Sequence, residues 1–222
     1  DAFSPDGQDW GFSPPNREAM RSVAYEPFLR RIRTSCKHCG ALRIDHVMQL
    51  HHLFWIPEGA TAKEGVYVKD YEDDLLNLVA LESQRSGCLI IGEDLGTVPF
   101  DFRERLMKKG ILSYRIFYFE RDAQRDQLPS HCYPENALVS ISTHDLPTLA
   151  GFWSQTDIKV RRQIGQLDEE REKKFREDRV EHKKKIVERL IADGLLSEEQ
   201  GKAALESNKP TDDLHTAVLE FV

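Results

Sequence analysis

Three apolar runs in this chain each end on a carboxylate. The runs ALRID, CLIIGE and ALVSISTHD stop at Asp45, Glu93 and Asp145. Each run is short and almost continuously apolar, which is typical of a strand that is covered on both faces. The segments between the runs have the spacing of amphipathic helices. Strands that alternate with helices predict a parallel sheet, so the pattern favours an α/β fold.

The residues around these runs predict the other elements. We expect Gly40 to end the helix that precedes the first strand, and Asp73 or Asp74 to cap a later helix. The stretch Glu58–Lys69 contains two glycines and has no clear period, which predicts a long loop. The predicted helices cover Arg17–Cys39 (broken at Pro27), Asp73–Ser86 and Pro99–Lys109, and the predicted strands cover Ala41–Asp45, Cys88–Gly92, Ser113–Phe119 and Ala137–Ser142.

The character of the sequence changes at Asp157. Residues 157–206 are mostly charged, with both signs mixed and isolated apolar residues at helical spacing. Such a run is usually a solvated helical face with a thin apolar stripe. We therefore predict that residues 1–156 contain the strands and their loops, and that residues 157–222 form a charged helical segment of the same domain.

The composition narrows the possible functions. With 222 residues, 40% of them hydrophobic, the chain is long enough for one domain with a substantial core. A formal net charge of −7 argues against nucleic acid or an anionic membrane as a partner. No apolar run is long enough to span a membrane, and the first residues, DAFSPDGQDWG, lack the features of a secretory signal. We expect a cytoplasmic location, with a plastid location as an open alternative, and a piece of a longer chain because no initiator Met is present.

The cysteines do not predict a disulfide framework, because the composition is that of an ordinary intracellular domain. Cys36 and Cys39 form a single CxxC motif. Zinc sites contain this motif, but usually with a second pair of ligands, which the sequence does not supply at zinc spacing. We therefore favour the last turn of a helix as the explanation of the motif.

The three carboxylates are expected to lie close together. In parallel α/β folds the carboxyl ends of the strands converge on one face, which places Asp45, Glu93 and Asp145 on one rim. Two kinds of chemistry suit such a rim. One is a divalent metal site, for which His46 and His144 are nearby candidates. The other is glycoside chemistry, which needs a carboxylate and a protonated carboxyl on either side of a sugar.

The neighbours of the carboxylates favour the second kind. Arg43 lies two residues before Asp45, on the same face of a strand, and its positive charge favours the ionised carboxylate. Glu93 has Ile91 at the equivalent position, so its protonated form is less opposed. This asymmetry suits Asp45 as the nucleophile and Glu93 as the general acid and base. Taken singly, an Asp at the end of a strand is more often a helix cap or a turn residue.

Two further residues bear on this prediction. His144, beside Asp145, is placed to hold the hydroxyl groups of a sugar ring. Trp10, between Gly7 and Gly11, is either a platform for the apolar face of a sugar or a plug at the end of a core, and the sequence favours neither.

At these motifs the chain resembles the 4-α-glucanotransferases, also called amylomaltases or disproportionating enzymes, which form glycoside hydrolase family 77 of the α-amylase clan. The resemblance covers about two thirds of the chain, and its motifs are specific to the family. It is carried by Asp1–Gly11 (DAFSPDGQDWG), Gly40–Leu50 (GALRIDHVMQL), Phe54–Val68 (FWIPEGATAKEGVYV), Leu76–Pro99 and Ser140–Trp153.

The resemblance implies a (β/α)8 barrel, of which this chain supplies about the fourth to the seventh strand, and a retaining transfer of α-1,4-glucan segments. It implies that Asp45 is the nucleophile that forms a covalent glucosyl-enzyme. It implies that Glu93 is the acid and base, and that Asp145 is a third carboxylate that binds and distorts the sugar. Neither a metal nor an organic cofactor is implied.

The resemblance also assigns the residues that bind the glucan. Arg43, His46 and His144 correspond to residues around the sugar at the point of cleavage, and Gln8 and Trp10 to loop contacts with the glucan. The expected partners are α-1,4-glucans such as maltooligosaccharides and dextrins from glycogen or starch. Because half of the barrel is absent, we expect this chain alone to be inactive or nearly so. Two alternatives stay open: an α-glucan hydrolase of the same clan, and an inactive glucan-binding fragment.

Overall fold

A computed structural model describes residues 9–222, in which helices and strands alternate along the first two thirds and helices follow. The α-helices are α1 (Arg17–Ser22), α2 (Glu26–Cys36), α3 (Glu72–Ser86), α4 (Phe102–Lys108), α5 (Leu149–Ser154), α6 (Thr156–Gln163), α7 (Glu169–Ala192), α8 (Glu198–Glu206) and α9 (Asp212–Phe221). The strands are β1 (Ala41–Ile44), β2 (His52–Trp55), β3 (Val66–Lys69), β4 (Leu89–Gly92), β5 (Ile111–Ile116) and β6 (Ala137–Ser140).

Four of the strands form one sheet in the order β1-β4-β5-β6. The pairs β1–β4 and β4–β5 are parallel, with Ala41 opposite Leu89 and Ile90 opposite Ile111. Helices α3 and α4 provide the crossovers from β1 to β4 and from β4 to β5. The predicted α/β class with a parallel sheet is therefore confirmed, and the helical segment predicted after residue 157 is present as α6 to α9.

Several predicted boundaries were wrong. Strand β1 stops at Ile44, so Asp45 lies just beyond it, and β6 stops at Ser140 instead of Ser142. Strand β5 ends at Ile116, because the next three residues form a 3-10 turn. Helix α4 starts three residues later than Pro99. Neither Asp73 nor Asp74 caps α3; both lie in its first turn, where a negative charge still interacts favourably with the helix dipole.

The predicted break of the first helix at Pro27 is confirmed. The chain turns at Ala24 and Tyr25, which both have positive φ, and Pro27 lies in the first turn of α2, where a missing N–H costs nothing. Tyr25 is buried at this turn, and its hydroxyl donates to Asp74 Oδ2 at 2.8 Å. Helix α2 then ends at Cys36, before the predicted end at Cys39, and Gly40 does not cap it.

The stretch predicted as a long loop contains a strand. Strand β3 pairs antiparallel with β2, so that Phe54 lies opposite Tyr67. A 3-10 turn between them starts with a capping box, in which the side chains of Thr61 and Glu64 bond each other's backbone N–H. Gly65 is packed against Phe54, whose ring would lie 2.4 Å from a Cβ at that position. The stretch is therefore a β-hairpin with an ordered connection.

The described chain divides into two compact units. The first comprises the residues up to Tyr114 together with Asn136–Leu138. Its core packs α2, α3 and α4 around β1 and β4, and the fully buried members include Val47, Val79, Ile90 and Phe102.

The second unit comprises Arg115–Glu135 and Val139–Val222. Its core centres on Trp153, which is fully buried and donates its indole N–H to the Ala204 carbonyl at 2.9 Å. The long helix α7 turns only a narrow face, including His182 and Ile186, to the interior. No helix among residues 9–222 combines the length and the apolar character needed to cross a membrane. The predicted boundary after residue 156 falls at the start of α6 and stays a prediction.

Candidate active site

The candidate site lies where β1 and β4 end side by side. The register of this parallel pair places Ile44 opposite Gly92. Two bonds continue the pairing beyond the strands, because Glu93 N donates to the Ile44 carbonyl and Val47 N donates to the Glu93 carbonyl, each at 2.9 Å. Asp45 and Glu93 therefore leave adjacent strands at the same level, as the sequence predicted.

Gly92 makes the close approach of the two strand ends possible. A Cβ at this position would lie 3.0 Å from both γ-methyl groups of Val47, which is fully buried. A larger residue would push away the turn that carries Asp45. Strand β4 thus ends in glycine because the side chain of Val47 occupies the space that a side chain at position 92 would need.

Asp45 presents an accessible carboxylate. Its side chain is 77% exposed, and Arg43 Nη1 lies 2.8 Å from its Oδ1. The Arg43 guanidinium also lies over the ring of Tyr114, 5.3 Å from the centroid. The backbone carbonyl of Asp45 accepts from Gln49 Nε2 at 2.8 Å. The backbone is thus anchored while the carboxylate faces solvent beside a positive charge, as expected from the i, i+2 spacing.

Glu93 is held in one orientation by backbone donors. Its Oε2 accepts from His46 N at 2.8 Å and its Oε1 accepts from Leu95 N at 2.9 Å. His46 has a left-handed backbone with φ of 44°, which directs its N–H toward Glu93. The half-buried Glu93 carboxyl group is thereby linked to the residue that follows Asp45.

No role was predicted for Asp94, whose hydrogen bonds hold the backbone next to Glu93. Its side chain is fully buried. It accepts from Arg103 Nε at 2.8 Å, from Ser113 Oγ at 2.6 Å and from Tyr114 N at 2.9 Å. These bonds tie the residue after Glu93 to α4 and β5. In the sequence, Asp94 is marked only by its position after Glu93 in GEDLG. That position does not reveal which of the two carboxylates is fully buried.

Asp145 and His144 lie in the second unit, on the turn after β6. His144 Nε2 is 3.2 Å from Asp145 Oδ2, and the side chains are 78% and 80% exposed. Asp145 N donates to the hydroxyl of Thr143 at 3.2 Å. The hydroxyl of Ser142 donates to the carbonyl of Pro147 at 2.9 Å. This turn presents a carboxylate and an imidazole to solvent, a pair able to bind hydroxyl groups.

The remaining predicted residues are on the N-terminal segment. Trp10 is 76% exposed, so it does not plug a core formed by the described residues. Gln8 lies outside the described residues. Within residues 9–222 no group of three or more His, Cys, Asp or Glu side chains is arranged to hold a metal ion.

Sequence comparisons show the family to which this chain belongs. A sequence model of the family described as 4-alpha-glucanotransferase matches residues 1–219. The 4-alpha-glucanotransferase of Haemophilus influenzae is 40% identical over 197 residues, which are 88% of this chain and 28% of that protein. The 4-alpha-glucanotransferase of Mycobacterium tuberculosis is 39% identical over 173 residues, which are 75% of this chain and 24% of that protein.

Solved structures agree with the sequence comparisons. The crystal structure of amylomaltase from Corynebacterium glutamicum matches with a TM-score of 0.91 and 28% identity, over 100% of this chain and 32% of that chain. The amylomaltase from Streptococcus agalactiae in complex with acarbose matches with a TM-score of 0.59 and 25% identity, over 72% of this chain and 34% of that chain. The chain thus spans about a quarter to a third of the length of these relatives. Its sheet corresponds to part of the fold of an amylomaltase, as the resemblance implied.

Proposed function

We propose, given that the chain belongs to the 4-alpha-glucanotransferase family, that it supplies the catalytic carboxylates of an enzyme that transfers α-1,4-glucan segments. The observation that carries the proposal is that Asp45 and Glu93 follow the ends of adjacent parallel strands. The Glu93 carboxylate accepts a hydrogen bond from the backbone N–H of His46, the residue after Asp45. Retaining glycoside chemistry needs two carboxyl groups close to one glycosidic bond.

Asp45 acts as the nucleophile. Its ionised carboxylate attacks the anomeric carbon of the donor glucan, and the bond from that carbon to the leaving oxygen breaks. Two features support this role: the carboxylate is 77% exposed, and the Arg43 guanidinium lies 2.8 Å from it. An exposed ion pair contributes little to stability, so the fold has no need of this carboxylate.

Glu93 acts as the general acid and then as the general base. In the first step it gives a proton to the leaving oxygen. In the second step it takes a proton from the 4-hydroxyl group of the acceptor glucan as that oxygen attacks the anomeric carbon, and the bond from this carbon to Asp45 breaks, which releases the Asp45 carboxylate. The two backbone N–H groups that bind its oxygens fix where the carboxyl group points. Fixed orientation favours proton transfer to a bound substrate.

The other residues bind the glucan. His144 and Asp145 hold ring hydroxyl groups of the sugar whose bond is cleaved, His46 and Arg43 contact the same sugar, and Trp10 stacks against a further sugar of the chain, with Gln8 beside it. The exposure of Trp10, His144 and Asp145 supports these roles. The similarity to the amylomaltase from Streptococcus agalactiae, which is solved in complex with acarbose, supports an α-glucan as substrate.

Transfer requires that a sugar hydroxyl reach the intermediate before water does. The β2–β3 hairpin, which has an ordered connection, is our candidate for the element that retains the acceptor. A cytoplasmic location belongs to the same proposal, because the four cysteines are free thiols, as in proteins of a reducing compartment.

The proposal is tested with Asp45→Asn in the full-length enzyme that contains this segment. We expect kcat for maltotriose disproportionation to fall by at least about 10³-fold, because the nucleophile is lost. The matched control is Asp73→Asn, which changes an exposed Asp in the first turn of α3 and should retain activity. Retained activity of Asp45→Asn would remove Asp45 as the nucleophile.

Chromatography of the products of the wild-type enzyme distinguishes a hydrolase from a transferase, since glucose alone indicates a hydrolase and longer dextrins indicate a transferase.

A further inference from the structure

Three cysteine thiols lie together in the first unit, at the opposite ends of β1 and β4 from the carboxylates. Cys36 is the last residue of α2, Cys39 follows it in the segment before β1, and Cys88 immediately precedes β4. The Sγ atoms of Cys39 and Cys88 are 3.8 Å apart. Cys36 and Cys88 are buried, whereas Cys39 is exposed. The proposed reaction uses none of these thiols.

The backbone at this place suits a disulfide between Cys39 and Cys88. Leu89 N donates to the Gly40 carbonyl at 2.9 Å, so the two segments are already paired one residue beyond the cysteines. Neighbouring strands lie about 4.8 Å apart and rise about 3.3 Å per residue, so a diagonal of one residue spans roughly 6 Å. Cα atoms joined by a disulfide are usually about 4.4–6.8 Å apart.

Little holds the Cys39 side chain in its present position. Its Sγ donates to the Ser35 carbonyl at 3.2 Å, and a thiol is a weak donor. The Sγ atoms need to approach from 3.8 Å to the length of an S–S bond, about 2.05 Å. Rotation about the Cα–Cβ bond of the exposed residue is the movement required.

We propose that Cys39 and Cys88 are an oxidation site, at which a peroxide converts the two thiols into a disulfide. The Cys39 thiol first attacks one oxygen of the peroxide; the O–O bond breaks, and sulfenic acid and water are formed. The Cys88 thiol then attacks the Cys39 sulfur, the S–O bond breaks, and a second water leaves with the Cys88 proton. The two thiols supply the two electrons that reduce the peroxide.

The surroundings of the thiols set the order of the two steps. Burial, together with the adjacent thiols of Cys36 and Cys39, raises the pKa of Cys88 to about 12. Cys88 is therefore a protonated thiol at neutral pH and a poor first nucleophile. Cys39 is open to solvent and meets the peroxide first. Cys36 is buried, so it does not compete for the first step.

A metal site is the other chemistry that clustered thiols suggest. In the part of the chain that the structure describes, the three thiols do not form such a site, because no group of three or more candidate ligands is arranged around a common point. The helix end that the sequence favoured for the CxxC motif is confirmed for Cys36, the last residue of α2. Cys39 instead lies beside Cys88, which immediately precedes β4.

The test is oxidation of the native 222-residue chain with a small excess of hydrogen peroxide, followed by alkylation of free thiols and peptide mapping. Of the four free cysteines, we expect two to escape alkylation and to appear in one cross-linked peptide that contains Cys39 and Cys88. Its mass should be lower by two hydrogens than the sum of the two peptides, and a reductant should restore both thiols. Oxidation in concentrated denaturant should give no preference for this pair.

Two matched variants make the test specific. Cys39→Ser changes an exposed residue, so the fold should survive, and we expect the cross-link to disappear. Cys132→Ser changes the other exposed cysteine and should leave the cross-link unchanged. A link between Cys36 and either neighbour, a link between two chains, or oxidation of Cys39 to sulfinic acid without a link would overturn the proposal.

Discussion

At the scale of single residues, Asp94 anchors the backbone immediately after Glu93. Four of its contacts come from distant parts of the sequence: the side chain accepts from Arg103, Ser113 and Tyr114, and its carbonyl accepts from Arg103 Nη2 at 2.7 Å. A carboxylate that is completely buried is stable only when such donors surround it. These bonds connect the strand end that carries Glu93 to the next helix and strand.

We predict that Asp94→Ala lowers the free energy of unfolding by about 2–4 kcal/mol, because the Tyr114 N–H and the Arg103 guanidinium lose a buried acceptor. This loss of stability is smaller than the loss expected for a fully buried ion pair, because the Arg103 side chain is 43% exposed. Urea unfolding of the purified chain measures it. Glu104→Ala is the control, because the exposed pair of Glu104 and Lys108 should contribute less than about 1 kcal/mol. Equal effects of the two substitutions would contradict the proposed support.

The sequence predicted part of this site, for a reason that is visible at single residues. The ion pair of Arg43 and Asp45 follows from the period of a strand, which needs only two positions close in sequence. The bonds of Asp94 could not be predicted in this way, because its partners lie 9, 19 and 20 residues away. The His46 N–H that binds Glu93 depends on a left-handed backbone, which the residue type does not reveal.

At the scale of elements, one buried carboxylate joins α2 to α3. Glu82 on α3 accepts from Arg33 Nε and Nη2 on α2, both at 2.9 Å, and from Arg85 at 3.0 Å. The Glu82 side chain is 4% exposed. The hydrogen bonds from Arg33 lower the pKa of Glu82 and outweigh the effect of burial. A planar guanidinium that binds a carboxylate with two bonds fixes the relative rotation of the two helices.

We predict that Glu82→Ala destabilises the chain by about 1–3 kcal/mol, with the range reduced because the Arg33 side chain is 44% exposed. The matched control is Glu26→Ala, which removes the other carboxylate beside Arg33, at 3.5 Å and 59% exposed, and should cost less than about 1 kcal/mol.

The folded state lowers the pKa of Glu82 from 4.5, so the contribution of Glu82 to stability is present above that pH and is lost as the pH falls further. Thermal unfolding of both variants at pH 7 and pH 3 checks this. A Glu82→Ala penalty that does not shrink at pH 3 would contradict it.

The elements that the sequence predicted well are those with strong periodicity. Helix α3 starts at Glu72 instead of Asp73, and its end at Ser86 was correct, because Leu75, Leu76 and Val79 form a clear apolar face and Gly87 stops the helix. The β2–β3 hairpin was missed, since each strand has four residues and the connection between them contains glycine and proline. Short strands give too few alternations for the period to emerge.

At the scale of the whole molecule, a buried histidine makes the stability of the second unit depend on pH. His182 is 9% exposed, and its ring packs edge-on against Phe152 at 5.2 Å and Tyr118 at 6.5 Å. Burial, aided by the positive charges of Arg121, Arg179 and Arg125, lowers the pKa of His182 from 6.5 to about 3. Its Nε2 has no hydrogen-bond partner among the described residues.

The sign of the effect follows from proton binding. Between pH 6.5 and about pH 3, His182 is neutral in the folded chain and protonated in the unfolded chain, so the unfolded state binds more protons and stability falls as the pH falls. The slope of the free energy of unfolding against pH is at most about 1.4 kcal/mol per pH unit.

We predict that His182→Phe, which retains a ring, flattens this dependence of stability on pH, as measured by urea unfolding between pH 4 and pH 7. His215→Phe, an exposed histidine on α9, should leave the profile unchanged.

The number of strands in the sheet leads to a prediction about activity. The described sheet has four strands, with β1 and β6 at its edges, whereas a (β/α)8 barrel closes eight strands around its site. This chain spans 32% of the Corynebacterium glutamicum amylomaltase that it matches. Glucan subsites are built from loops after several strands, so four strands bind only part of a substrate. We therefore predict that the purified 222-residue chain shows no measurable disproportionation of maltotriose, while a full-length enzyme that contains it does. Robust disproportionation by the chain alone would mean that these strands and loops suffice to hold both donor and acceptor.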